Sequence, residues 1–160
     1  MNFEVETKYT YDEYKKFNKT IYENIYHYKR KINFAIIIYA IIIGGFIAFK
    51  EYLWALAVFI AAVMLMYLTK RNNDKAIKNA YETNEVMKDA VCRFKFTDDR
   101  VEATSPKGVE YLEYDKMYKL IETDTNFYLM FGQNLGFIIN KSNCKDNEIE
   151  FIRSLKNYEK

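Results

Sequence analysis

The single histidine, the two cysteines and one short acidic run are the residues of this 160-residue chain best suited to chemistry. His27 has the side chain that titrates nearest neutrality, but it stands between Tyr26 and Tyr28 just ahead of Lys29 and reads as an interfacial side chain. Cys92 and Cys144 are 52 residues apart, and Cys92 shares an alternating face with Phe94, which predicts a reduced core thiol rather than a metal ligand or redox centre. Asp98, Asp99 and Glu102 are not followed by the spacing of a hard-ion loop, and Asp98-Asp99 reads as a hairpin turn. The chain has no HExxH pair, no nucleophile elbow and no glycine-rich phosphate loop, so a non-enzymatic protein with no cofactor and no metal is expected.

Charge placement says more than charge total. The net charge is +2, and residues 88–160 carry 12 Lys and Arg against 13 Asp and Glu, whereas a nucleic-acid-binding domain presents a basic face. Nucleic acid is therefore not an expected partner. The excess of Lys, Ile, Asn and Tyr is what an AT-rich bacterial genome produces, so no single Lys or Tyr is meaningful by type alone.

Residues 32–49 and 52–69 are two 18-residue stretches without a charge, although 29% of the chain is charged. The first holds eight Ile and three Phe, which favour insertion by about 3–6 kcal/mol in sum and outweigh Asn33 and Gly44-Gly45. Eighteen residues rise about 27 Å as a helix, close to the hydrocarbon thickness of a bilayer. Only Lys50-Glu51 separate the stretches, which predicts a tight transmembrane hairpin. Lys29, Arg30 and Lys31 precede it, Lys70, Arg71, Lys75 and Lys78 follow it, and the turn holds one Lys, so both termini are expected in the cytoplasm of a bacterial cell, at its inner membrane. The polar first 30 residues predict no cleaved leader, which leaves the first span as its own targeting signal. Ala40, Gly44 and Ala48, with Ala57 and Ala61, are small residues at four-residue steps; packing inside the hairpin is their simplest use, and homo-oligomerisation through the same face is the other. Lys29, Arg30, Lys31, Lys70 and Arg71 form a basic cluster at the hairpin base, suited to anionic membrane lipid.

The expected organisation is a strand and amphipathic helix over 1–31, the hairpin over 32–69, a stalk helix over 70–88 and a cytoplasmic domain over 89–160. Phe3, Val5, Thr7 and Tyr9 alternate with charges and predict a half-buried strand that joins the C-terminal sheet. Thr10 and Glu13 have capping-box spacing, and Tyr14, Phe17, Ile21, Ile25 and Tyr28 predict one helix running into the membrane. Ala76, Ile77, Ala80, Tyr81 and Asn84 predict that the second membrane helix continues outward as a stalk, the two stalks packing on each other. Beyond Ala90 the period becomes two. Short strands are expected around Cys92 to Phe96, Val101 to Thr104, Val109 to Tyr114, Met117 to Thr123, Phe127 to Phe131 and Leu135 to Ile139, followed by a helix carrying Ile149, Ile152 and Leu155. The fold class is α+β, with a small antiparallel sheet or partial barrel closed by the C-terminal helix.

The run from Phe94-Lys95-Phe96-Thr97-Asp98-Asp99 through Tyr111-Leu112-Glu113-Tyr114-Asp115-Lys116-Met117 and Ile121-Glu122-Thr123-Asp124 to Ile138-Ile139-Asn140-Lys141 resembles the YcxB-like family. That resemblance implies a bacterial membrane protein with two spans and a cytoplasmic domain similar to bacterial pleckstrin-homology domains. It carries over no catalytic residue. Tyr114 stands where the family often has Trp, and Asn140 where Pro often precedes the basic residue. The expected function is a membrane-anchored adaptor or regulator that binds an unidentified membrane or cytoplasmic protein. A toxin-immunity protein and an accessory subunit of a transporter or membrane enzyme are the alternatives. Lys107, Gln133 and Asn134, in predicted turns without a core assignment, are the candidate partner-binding residues.

Overall fold

The computed structural model describes residues 2–158. The six expected strands of the C-terminal part are present, and the N-terminal strand joins them. β1 (Phe3–Lys8), β2 (Val91–Phe96), β3 (Arg100–Ser105) and β4 (Gly108–Glu113) form one antiparallel sheet in that order. β5 (Lys119–Glu122), β6 (Asn126–Met130) and β7 (Gly136–Asn140) form a second. In the first sheet Val5 lies opposite Phe94 and Phe3 opposite Phe96, so the apolar residues of β1 fall on the inner face of β2. The barrel is not closed. β1 and β7 meet through side chains instead of a ladder: the Asn140 N–H donates to Thr7 Oγ1 (3.1 Å), the Ile138 N–H to the Tyr9 hydroxyl (3.0 Å), and Asn143 Nδ2 to the Glu6 carbonyl (2.6 Å).

Between the sheets lies the main core, with Phe94, Phe96, Val101, Phe127, Leu129 and Ile139 wholly buried. α4 (Asp146–Ser154) and the short turn after it close one end with Ile152 and Leu155. The Glu148 carboxylate accepts from the Lys145 N–H (2.8 Å) and fixes the start of that helix. Glu122, on β5, accepts from Arg153 Nη2 (2.7 Å) and Nε (3.1 Å) and from Lys141 Nζ (2.6 Å). The Arg153 guanidinium, followed by Lys141, holds its carboxyl down at about 2 against the opposing effect of partial burial. A folded pKa below the unfolded one adds stability above about pH 4.5 that disappears as pH falls towards 2. Glu122→Gln is therefore expected to lose about 1 kcal/mol at pH 7, a value reduced for solvent screening of a partly exposed group. Denaturant titrations of the variant and the parent should converge between pH 4.5 and 2; a constant gap down to pH 2 refutes this account.

α1 (Tyr11–Asn24) departs from expectation in two ways. Thr10 Oγ1 accepts from the Glu13 N–H (3.3 Å) as a capping box requires, but the Glu13 carboxylate is turned inward to Lys16 (3.0 Å) and to the buried Asn126 amide of β6. Moreover, the apolar stripe of α1 does not pack mainly on the other stalk. Phe17 and Ile21 cover the outer face of the second sheet, against Ile121, Tyr128, Met130 and Ile138. β6 is accordingly buried at every position, one face against the first sheet and the other under α1. The helix also stops short of the first apolar segment. Asn24 is its last residue, His27 adopts a left-handed backbone (φ 51°), and α2 (Tyr28–Ala48) starts afresh. The axis of α1 is set by the sheet and that of α2 by its hairpin partner, so the connection must bend; His tolerates the left-handed conformation better than most residues.

α2 and α3 (Tyr52–Thr83) are both long and apolar enough to cross a membrane, and α3 runs unbroken through the predicted stalk. They pack antiparallel across a turn in which Lys50 has φ 61° and the Glu51 N–H bonds to the Phe46 carbonyl (2.8 Å). The close approach is not made by the residues expected to make it. Ala55 and Ala62 of α3 are buried and Ala35, Tyr39, Ile43 and Phe46 of α2 half-buried, whereas Ala40, Gly44, Ala48, Ala57 and Ala61 are exposed. Steps of four identify a face, not the neighbour it meets, and Ala55 and Ala62 offer the same small side chains two turns apart.

Of the stalk stripe, Ile77 is half-buried and Ala76 and Ala80 are uncovered; Tyr81 alone is buried. Tyr81 fastens α3 to the end of β1: its hydroxyl donates to the Tyr9 carbonyl (3.2 Å) and accepts from the Asp89 N–H (3.1 Å), while its ring lies 5.5 Å from Tyr11 and 5.7 Å from Tyr14.

Candidate functional site

The end of the sandwich opposite α4 is open. Two hairpin tips flank the opening, residues 105–108 between β3 and β4 and residues 131–135 between β6 and β7. Between them lies a cavity of about 320 Å³. Cys92, Phe94, Ala103 and Phe137 form its floor, Phe17 and Met87 stand at its side, and Lys107, Glu110, Asn134 and Leu135 stand at its rim. The first tip is a two-residue turn in which the Lys107 N–H donates to Ser105 Oγ (3.2 Å) and Gly108 takes φ 129°, a conformation side chains rarely adopt. The second tip is tied to the end of α1, Tyr26 donating its hydroxyl to Asn134 Oδ1 at 2.6 Å.

Two of the three candidate partner-binding residues, Lys107 and Asn134, are thus brought to one rim from opposite sheets, 27 residues apart in sequence. Gln133 sits on the same tip as Asn134, exposed, outside the cavity lining. Asn134 also borders a second hollow, shared with Tyr22, Tyr26, Tyr28 and Lys31 at the start of α2. The tip therefore reaches the level at which the first apolar helix begins. Lys29, Arg30, Lys31, Lys70 and Arg71 are all exposed, and the antiparallel hairpin gathers them at its open end; Lys29 also reaches Glu23 at 3.3 Å.

Burial pushes the Cys92 thiol up to about 11, with the charge of Glu110 adding to it, so it is neutral at pH 7. Burial likewise raises Tyr9, whose hydroxyl is occupied by the Ile138 amide. Cys144, half-buried near α4 and raised to about 11 by burial, is far from this end in the fold. His27 is exposed at the start of α2. Asp99 caps its own turn by accepting from Thr97 (2.9 Å), and Glu102 pairs with Arg100 (2.8 Å). The described residues contain no group of three His, Cys, Asp or Glu placed to hold a metal ion.

Sequence reasoning missed the floor of the cavity and the role of Glu110. Glu110 lies opposite Ala103, so it is on the inward face of β4, and its position there could have been read from the Pro106-Lys107 turn by counting back along both strands. Phe94 and Phe137 touch, with ring centroids 5.5 Å apart, and no sequence signal foretold that a cavity would open beside them.

No curated protein and no solved structure matches the chain. Residues 96–156, from the last position of β2 through α4, match the family model described as YcxB-like protein, and it is as a YcxB-like segment that this part of the chain is identified.

Proposed function

We propose that the chain is a non-enzymatic, two-span protein of the bacterial inner membrane with both termini in the cytoplasm, where a module of pleckstrin-homology-like design binds another protein. The observation that carries this reading is the pair of hairpin tips, one with Lys107 and one with Gln133 and Asn134, bracketing a cavity on a domain that is fastened to the base of the apolar hairpin. Recognition is commonly placed on loops held by a rigid scaffold, because loops vary without disturbing buried faces. The basic cluster supports the orientation and favours an anionic leaflet at the hairpin base, each exposed Lys or Arg contributing about 1 kcal/mol near such a surface.

Replacing Lys107, Gln133 and Asn134 together should leave insertion and protease resistance unchanged and remove one partner from the crosslinks formed in native membranes, identified by mass spectrometry. An unchanged crosslink profile rejects this surface. Orientation has its own check: in intact cells a membrane-impermeant thiol reagent should label Glu51→Cys and spare Asn2→Cys. Labelling at position 2 overturns the assigned topology.

A further inference from the structure

Of the sheet edges, three are covered. The outer edges of β1 and β7 are bridged to each other by Thr7, Tyr9 and Asn143, and β5 is flanked by the turn that follows α4. β4 is not covered. The Tyr114 N–H bonds to the Asp99 carbonyl (3.0 Å), and counting back by twos through the register makes Leu112, Glu110 and Gly108 the residues bonded to β3. The N–H and C=O groups of Val109, Tyr111 and Glu113 therefore point outward. Val109 is 66% and Tyr111 64% exposed on that strand, an apolar display that an edge left to solvent normally avoids.

The edge is also electrically polar along its length. At its C-terminal end Asp98, Asp99, Glu113 and Asp115 line one shallow hollow with Tyr114 and Tyr158. Lys116 is engaged with Glu113 (2.5 Å), and Arg100 with Glu102 (2.8 Å) and, at 5.5 Å, with the Tyr111 ring. At the other end stands Lys107. An added strand would present alternate side chains to the side on which Glu110 faces the cavity.

We infer that the free edge of β4 is a strand-addition site for an extended segment of another protein. That segment runs antiparallel to β4, begins with basic residues lying at Asp99 and Asp115, and continues with alternating apolar residues. Backbone groups of Val109, Tyr111 and Glu113 give the pairing, the acidic end gives the polarity, and the cavity receives an inward side chain. This inference rests on the protein-binding reading above and names the kind of partner.

The test uses the full chain in phosphatidylcholine nanodiscs and a fluorescent peptide, Lys-Arg-Lys-Thr-Val-Thr-Val-Tyr, followed by anisotropy. Saturable binding is expected, at least tenfold weaker for the same peptide methylated on alternate backbone nitrogens and at least fivefold weaker when its three basic residues are replaced by Glu. Val109→Pro removes an outward N–H without touching the β3 ladder and should weaken binding at least tenfold. Asp115→Lys, on an exposed side chain, should reduce the preference for the basic peptide with no change in thermal unfolding. Absence of binding, indifference to N-methylation, or preference for the Glu peptide overturns the inference. So does a dimer by sedimentation that Val109→Pro dissociates, because the edge would then be filled by a second copy. Should the peptide fail while the Lys107, Gln133 and Asn134 variant still loses its native crosslink, strand addition falls and the protein-binding reading stands.

Discussion

Val5→Asp is expected to destabilise the C-terminal sheets by about 2–4 kcal/mol, although it lies more than 80 residues before them in sequence. Val5 is 1% exposed, sits opposite Phe94 and belongs to the core cluster that contains Phe96, Val101 and Leu112. A carboxylate there meets no cation, because the ionic partners of β1, such as Arg93 on Glu6 (2.5 Å), lie on the solvent face. It must either be buried uncompensated or break β1 away, and breaking β1 also removes the Thr7 and Tyr9 bridges to β7. Limited proteolysis of the full chain should then release fragments from within residues 90–140. Glu6→Gln, which changes only the exposed face, should cost less than about 0.5 kcal/mol. Equal protease resistance of Val5→Asp and the parent would show that β1 is not part of the sheet.

That strand illustrates what was legible. Its period of two is plain from Phe3 to Tyr9, and its destination followed from topology, since a hairpin of two helices returns the chain to the side it left. The six later strands were legible as short apolar runs, alternating in β2 and β3 and continuous in β6 and β7, punctuated by Asp98-Asp99, Pro106-Lys107 or Gly132. The bend at His27 was not. It contains no Gly or Pro and interrupts a stripe that continues at helical spacing from Tyr14 to Tyr28, because it is forced by two packing partners that point α1 and α2 in different directions. Likewise the ridge of Ala40, Gly44 and Ala48 was correctly seen as one face, but which face meets α3 depends on the 49–51 turn, where Lys50 adopts a positive φ.

The candidate site was half legible. Lys107 and Asn134 could be placed in turns by local composition, and the structure brings those turns to one rim. The cavity they flank has no sequence signature, because it arises where two sheets diverge and its walls are ordinary core residues such as Phe94 and Phe137. The edge position of β4 lies in between: Val109 and Tyr111 on one face with Leu112 on the other make the strand apolar on both faces, a pattern that asks for a neighbour on each.

Phe17→Ala is expected to cost about 3 kcal/mol, at the lower end of the range for a buried aromatic because one side of the ring borders the cavity and the surroundings can partly close in. Its ring centroid is 5.5 Å from that of Tyr128 on β6, and with Ile21 it is what holds α1 against the second sheet. Removing it exposes Tyr128, Met130 and Ile138 on the face that α1 covers. It also leaves the polar contact of Glu13 with Asn126 open to water, so the loss falls on both α1 and β6. Ile77→Ala on the stalk of α3 should cost less than about 1 kcal/mol, because that side chain is only half-buried. Hydrogen exchange separates the two packings: with α1 bound to the sheet, Phe17→Ala raises exchange in 11–24 and 126–130 together, and Ile77→Ala leaves both segments protected. Were the stripe of α1 instead packed on the other stalk, Ile77→Ala would deprotect 11–24 and Phe17→Ala would spare 126–130. The coupling matters beyond stability, since α1 leads directly into α2 and its end holds the 131–135 tip through Tyr26, so loosening Phe17 should also displace Asn134 from the rim it shares with Lys107.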